Sequence, residues 1–158
     1  MAETRKIDRI ADLWALLDGV PDPEIPVISV VDLGIVRDIR EQPDGSVTVI
    51  ITPTYTGCPA TLLIEQMIRE ALESDASLRF TIRTELSPAW TTDWISEKGK
   101  QALKEYGIAP PQPGERDVPC PRCGTTDVEC ISQFGSTPCK ALYKCRQCLE
   151  PFDHFKCI

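Results

Sequence analysis

One histidine, His154, is all the chain carries of the side chain most used for proton transfer at neutral pH and for metal ligation. Cys58 lies 62 positions before the next cysteine, and no base is placed to activate it, so covalent hydrolysis is a poor expectation. Nor is there an apolar run near the roughly 18 residues that a membrane helix needs. The opening MAETRKIDRI is too charged for a secretory signal, so the cytoplasm is the expected compartment and no membrane partner is expected. Basic charge is also short, with 17 Lys and Arg against 24 Asp and Glu. Residues 1–118 hold 12 basic and 20 acidic side chains, a balance of −8, whereas 119–158 hold 5 and 4. An acidic body repels a phosphate backbone, which argues against nucleic acid and for a protein or metal partner.

What remains is a soluble-type composition of 158 residues, 42% apolar, with room for one domain and a small module. In KIDRIADLWALLDGV, Ile7, Ile10, Trp14 and Leu17 recur at helical spacing with Leu13 beside them, which predicts a helix. Prolines 21, 23 and 26 then stop it in a rigid, acidic loop. IVRDIREQPDGSVTVIITPT reads as a hairpin around Pro-Asp-Gly, with Val47, Val49 and Ile51 on one face. PATLLIEQMIREALES predicts a second helix with a stripe through Ile64, Met67, Ile68, Ala71 and Leu72, and a strand follows in LRFTIRTEL. The order α-β-β-α-β predicts an α+β fold, a small antiparallel or mixed sheet with helices on one face. ISEKGKQALKEYGI reads as a short helix ending at Gly107. The expected division is a domain over 1–108, a Pro-rich linker over 109–118 and a C-terminal module over 119–158.

That module holds Cys120/Cys123 and Cys145/Cys148, two CxxC pairs separated by 21 residues. Two tight turns of this kind aim four sulfurs at one ion and close a tetrahedral shell with no position left for water, as in a zinc ribbon. Structural zinc is the expectation, with a rubredoxin-like iron as the alternative. About forty residues bury too little apolar surface to fold unaided, so the metal should supply much of the stability. Phe134, Tyr143, Phe152 and Phe155 read as its small core, with a docking face as the alternative. Cys130, Cys139 and Cys157 leave two readings open: small buried hydrophobes, or, for Cys139 and Cys157, additional soft ligands. His154 reads as a satisfied surface or packing residue rather than a ligand.

In TYTGCPAT, Pro59 suits a first helical position, which makes Cys58 the N-cap and Gly57 the sharp entry. The positive end of a helix dipole favours a thiolate placed there, suited to attack or metal binding, although a structural cysteine on a strand-to-helix turn is the other reading. Asp22 and Glu24 read locally as turn caps between prolines.

Three runs, DPEIPVISVVDLGIVRDI, VTVIITPTYTGCPAT and SPAWTTDWISEKGKQALKEYGI, resemble the domain of SufT-like iron-sulfur assembly proteins. Joined to CPRCG, FGSTPCKALYKC and FKCI, that domain resembles the PaaD family, small proteins encoded with the phenylacetyl-CoA epoxidase; the match spans Asp8 to Ile158. The resemblance implies an accessory component in aerobic phenylacetate breakdown. Its partners would be the epoxidase's oxygenase and reductase components and the iron-sulfur assembly machinery; a homodimer is left open. It places the family's acidic loop on Asp22, Pro23 and Glu24 and its helix-start cysteine on Cys58, as candidates for transient iron or cluster binding. The chain is not expected to be the oxygenase: it shows no ExxH helix pairs for a di-iron site and no GxGxxG. Maturation or delivery of iron is one implied role, and a stably bound coupling subunit is the other.

Overall fold

A Pro-Asp-Gly turn folds two strands rich in branched residues onto each other. Gly45 takes φ +79°, open to glycine without strain, and its N–H donates to the Gln42 carbonyl at 2.9 Å. The computed structural model describes residues 2–55, 57–112 and 117–156, with the side chains of residues 2–8, Ile7 among them, outside that description. Packing divides the chain into two compact units, Met1–Trp90 and Thr91–Ile158.

Unit 1 contains α1 (Ala2–Asp18), β1 (Val36–Glu41), β2 (Val47–Ile51), α2 (Ala60–Glu73) and β3 (Phe80–Thr84). Its sheet runs β1-β2-β3, with β1 antiparallel and β3 parallel to β2, so the sheet is mixed. The parallel pair forces a crossover, which α2 supplies, packing against α1 and β3. Leu13 and Leu17 of α1, Val47 and Val49 of β2, and Ile64, Ile68 and Leu72 of α2 are buried, as their periodicities predict. Ile50, on the other face of β2, is buried too. The Trp90 indole N–H donates to the Leu33 carbonyl at 2.9 Å, fastening the end of the unit to the loop before β1.

In unit 2, α3 (Glu97–Glu105) begins at Ser96, whose hydroxyl accepts from the Gly99 N–H at 2.9 Å. It ends before Gly107, at φ +89°. Although the sequence pattern assigns this helix to the first domain, it packs on β4 (Ile108–Ala109), a two-residue strand that runs into the expected linker. β4 pairs in parallel with β7 (Pro151–Phe155), which continues antiparallel to β6 (Lys140–Cys145) and then β5 (Val128–Ser132). Strand order in this sheet is β4-β7-β6-β5. No helix among the described residues is long and apolar enough to cross a membrane.

Candidate metal centre and the Cys58 turn

The two CxxC segments form matching knuckles. In the first, the Cys120 N–H donates to the Thr125 carbonyl (2.8 Å) and the Gly124 N–H returns to the Cys120 carbonyl (2.9 Å). In the second, the Cys145 N–H donates to the Glu150 carbonyl (2.9 Å), and the Cys148 N–H points at the Cys145 sulfur (3.3 Å). The residue after each second cysteine is left-handed, Gly124 at φ +78° and Leu149 at φ +65°. Glycine takes that conformation freely, whereas leucine costs about 1 kcal/mol, so the second knuckle holds its shape against local preference. Cross-links between the knuckles oppose that strain: Arg122 meets Glu150 at 2.6 Å, and the Arg146 N–H donates to the Asp127 carbonyl at 3.0 Å.

These turns bring the sulfurs of Cys120, Cys123, Cys145 and Cys148 within 4.8 Å of one another. Cys120 and Cys148 are 3.7 Å apart, and Cys123 and Cys145 are 3.6 Å apart. A zinc–sulfur bond of about 2.3 Å gives a tetrahedron with edges of about 3.8 Å; two sulfur pairs already stand at that edge and none lies more than about 1 Å beyond it, so the donor set matches a four-thiolate zinc site. Burial pushes the Cys145 thiol up, but the Cys148 and Gln147 backbone N–H groups, with the thiols of Cys148 and Cys123, outweigh it and bring it down to about 7. Ala109, Cys120, Cys145 and Phe152 form a buried cluster under this site, with Val118, Val128 and Tyr143 against it. Tyr143 and Phe152 are therefore core, stacked at 5.9 Å, whereas Phe134 is exposed with the Lys156 ammonium 4.6 Å from its ring centroid.

Cys139 and Cys130 are not among the four. Cys139 is buried beside the Thr137 hydroxyl at 3.0 Å, Cys130 is exposed on β5, and Cys157 lies outside the described residues. His154 is a packing residue in the structure: half-buried, edge-on to Tyr143 at 5.6 Å, with Nδ1 3.2 Å from the Ala109 carbonyl. Burial pushes its imidazole below the ordinary value, and the Ala109 contact only partly offsets this. A neutral His154 in the fold and a protonatable one in the unfolded chain means its contribution is present above about pH 6.5 and lost as pH falls. Because it is the only histidine, its C2-proton resonance should titrate as one unambiguous signal with a midpoint below about 6.5.

Cys58 is half-buried, on the turn between β2 and α2. Gly57, at φ +81°, provides the predicted sharp entry, and the Cys58 N–H donates to the Tyr55 carbonyl at 3.3 Å. The helix starts one residue later than expected: Pro59 is the N-cap, itself in helical conformation, and the Cys58 carbonyl accepts from the Thr61 N–H at 3.1 Å. Proline's fixed φ suits either position, so the tripeptide alone does not decide between them. Asp22 is buried in its own loop, where Oδ1 accepts the Glu24 N–H at 2.9 Å and the Ile25 N–H at 2.8 Å. Those two bonds are the turn capping read from the prolines; Glu24 is exposed.

Comparison with known proteins follows the same division. Residues 10–77 match the family model described as iron-sulfur cluster assembly protein, and residues 110–156 match the PaaD zinc beta ribbon domain. Fold and site therefore define an assembly-factor α+β domain joined to a zinc ribbon. Over 156 residues the chain is 46% identical to an Escherichia coli protein named as a putative subunit of 1,2-phenylacetyl-CoA epoxidase, covering 95% of this chain and 94% of that protein. The chain belongs to the PaaD family. A shorter relative, an Fe-S protein maturation auxiliary factor of Porphyromonas gingivalis, is 37% identical over 98 residues, 61% of this chain and 90% of that one. A solved domain of unknown function from Bacillus anthracis superposes with a TM-score of 0.55 at 26% identity, covering 60% of this chain and 90% of that one.

Proposed function

We propose that this protein is an accessory component of a phenylacetyl-CoA epoxidase system that holds iron or an iron-sulfur centre at Cys58 and passes it to the oxygenase or reductase component. The observation that carries this reading is the division of the thiols. Four are gathered in a geometry that fits a closed zinc shell, while Cys58 stands partly exposed and apart from them in sequence, in the domain matched by the iron-sulfur assembly model. The named roles of the relatives, epoxidase subunit and iron-sulfur maturation factor, join the two halves of the proposal. The iron is cargo here, and exposed Glu24 is a candidate second ligand while Asp22 holds the loop shape. Cys58→Ser should leave the zinc in place while the iron content of the co-expressed epoxidase components, and epoxidation in cells, fall several-fold.

The role named for the Escherichia coli relative, that of a subunit, favours a second reading, a stably bound coupling protein with no delivery role. A stoichiometric complex on size exclusion, with client iron indifferent to Cys58→Ser, would establish that reading instead.

A further inference from the structure

We propose that the end of unit 1 around Cys58 is a docking face for a basic, apolar protein surface on the iron-receiving component. This rests on the delivery reading and names its partner's chemistry.

Topology brings three segments to one end of the sheet. Val36 of β1 lies opposite Ile51 of β2, and Ile51 lies opposite Thr84 of β3, so the loop before β1, the Cys58 turn with the start of α2, and the segment after β3 emerge together. The Thr52 N–H donates to the Ile35 carbonyl and the Glu85 N–H to the Ile51 carbonyl, both at 2.9 Å, tying the three. Every exposed large hydrophobic described in unit 1 lies in these segments: Val27 (41% exposed), Leu62 (78%), Leu63 (47%) and Leu86 (55%). At the opposite end, residues 41–46 and 73–79 present none. Single exposed leucines are ordinary, but their confinement to one end marks an interaction surface.

Charge selects the occupant. Residues 19–35, 52–64 and 85–90 contain Asp22, Glu24, Asp32 and Glu85, and no lysine or arginine. Asp22 is turned into its loop, Glu85 meets Arg83 at 3.6 Å, and Arg37 follows the first segment; four acids against these two flanking bases leave this end net acidic. A second copy would set acid against acid, and anionic lipid or nucleic acid would be repelled in the same way. The chain's own residues 91–158 hold nine acidic and nine basic side chains, so charge does not select them either. An apolar patch ringed by lysine or arginine on a different protein is complementary on both counts.

Leu62→Lys/Leu63→Lys reverses both properties at exposed helix positions, and Leu86→Lys does so outside the helix. Binding to purified oxygenase and reductase components, measured by biolayer interferometry, should show wild type engaging at least one, more weakly as salt rises. Each variant should lose roughly tenfold or more of that affinity with an unchanged melting curve, whereas Phe134→Lys in unit 2 should not. Wild-type-like binding by both variants would overturn the proposal, as would wild type binding neither component. So would self-association abolished by the lysines, or shifts in the amide spectrum of residues 119–156 that assign the face to the chain's own ribbon. Cys58→Ser separates the two ideas. If it spares client iron while the lysines abolish binding, delivery fails and docking stands; if it depletes client iron while the lysine variants bind normally, docking fails alone.

Discussion

Cys120→Ser is expected to strip zinc from the chain, from one ion to none by metal analysis, and to unfold the ribbon while leaving unit 1 intact. Cys120 is buried, and its sulfur forms one edge of the four-thiol group with Cys148 at 3.7 Å. A serine oxygen at that corner is a poorer ligand for zinc and leaves three sulfurs, Cys145 fully enclosed among them, around a broken shell. Structural zinc contributes about 10–16 kcal/mol in small modules, which exceeds what the few buried side chains under the site can replace. Ala109, Cys145 and Phe152 are the remaining members of that cluster. Amide resonances of residues 119–156 should collapse toward unfolded positions while those of the β1–β2 hairpin stay put. Cys58→Ser is the control, and it should keep its zinc. Retention of zinc by Cys120→Ser would mean that the ion is held elsewhere.

That ribbon was the most legible part of the chain, because a four-thiolate shell needs cysteines in pairs at a spacing that one tight turn can close. The α-β-β-α-β order of unit 1 was nearly as plain, since periods of 3.6 and 2 alternate without ambiguity from Leu13 to Thr84. Long-range pairing was not legible. Nothing in Ile108–Ala109 announces a strand, because a two-residue β4 has no period of its own and exists only through its pairing with β7. That pairing carries α3 into unit 2, although the helix precedes the Pro-rich stretch. At the Cys58 turn, Gly57 was readable as the sharp entry, but the one-residue offset of the cap was not. The exposed Leu62 left a signal that the stripe hid: it sits about 200° round the helix from Ile64, off the face that Ile64, Ile68 and Leu72 bury. Both residues of the acidic loop were found by resemblance, yet only geometry distinguishes Asp22, which holds two backbone N–H groups, from exposed Glu24.

A cavity cut beneath α2 should separate the two units energetically. Ile68 has no exposed surface, and its helix packs against α1 and β3 while carrying the Cys58 turn at its start. Ile68→Ala removes three carbons from a site where the sheet and α1 leave little room to collapse, and such changes cost about 2–5 kcal/mol. Against a typical stability of about 5–15 kcal/mol this is a large fraction, so unit 1 should melt well below wild type. The four zinc-site thiols all lie within residues 120–148, so metal content should remain one ion per chain through that transition. Differential scanning calorimetry with a zinc-release dye would follow both events in one sample. An early transition without zinc release is the expected record; simultaneous unfolding and release would show that the units stand or fall as one.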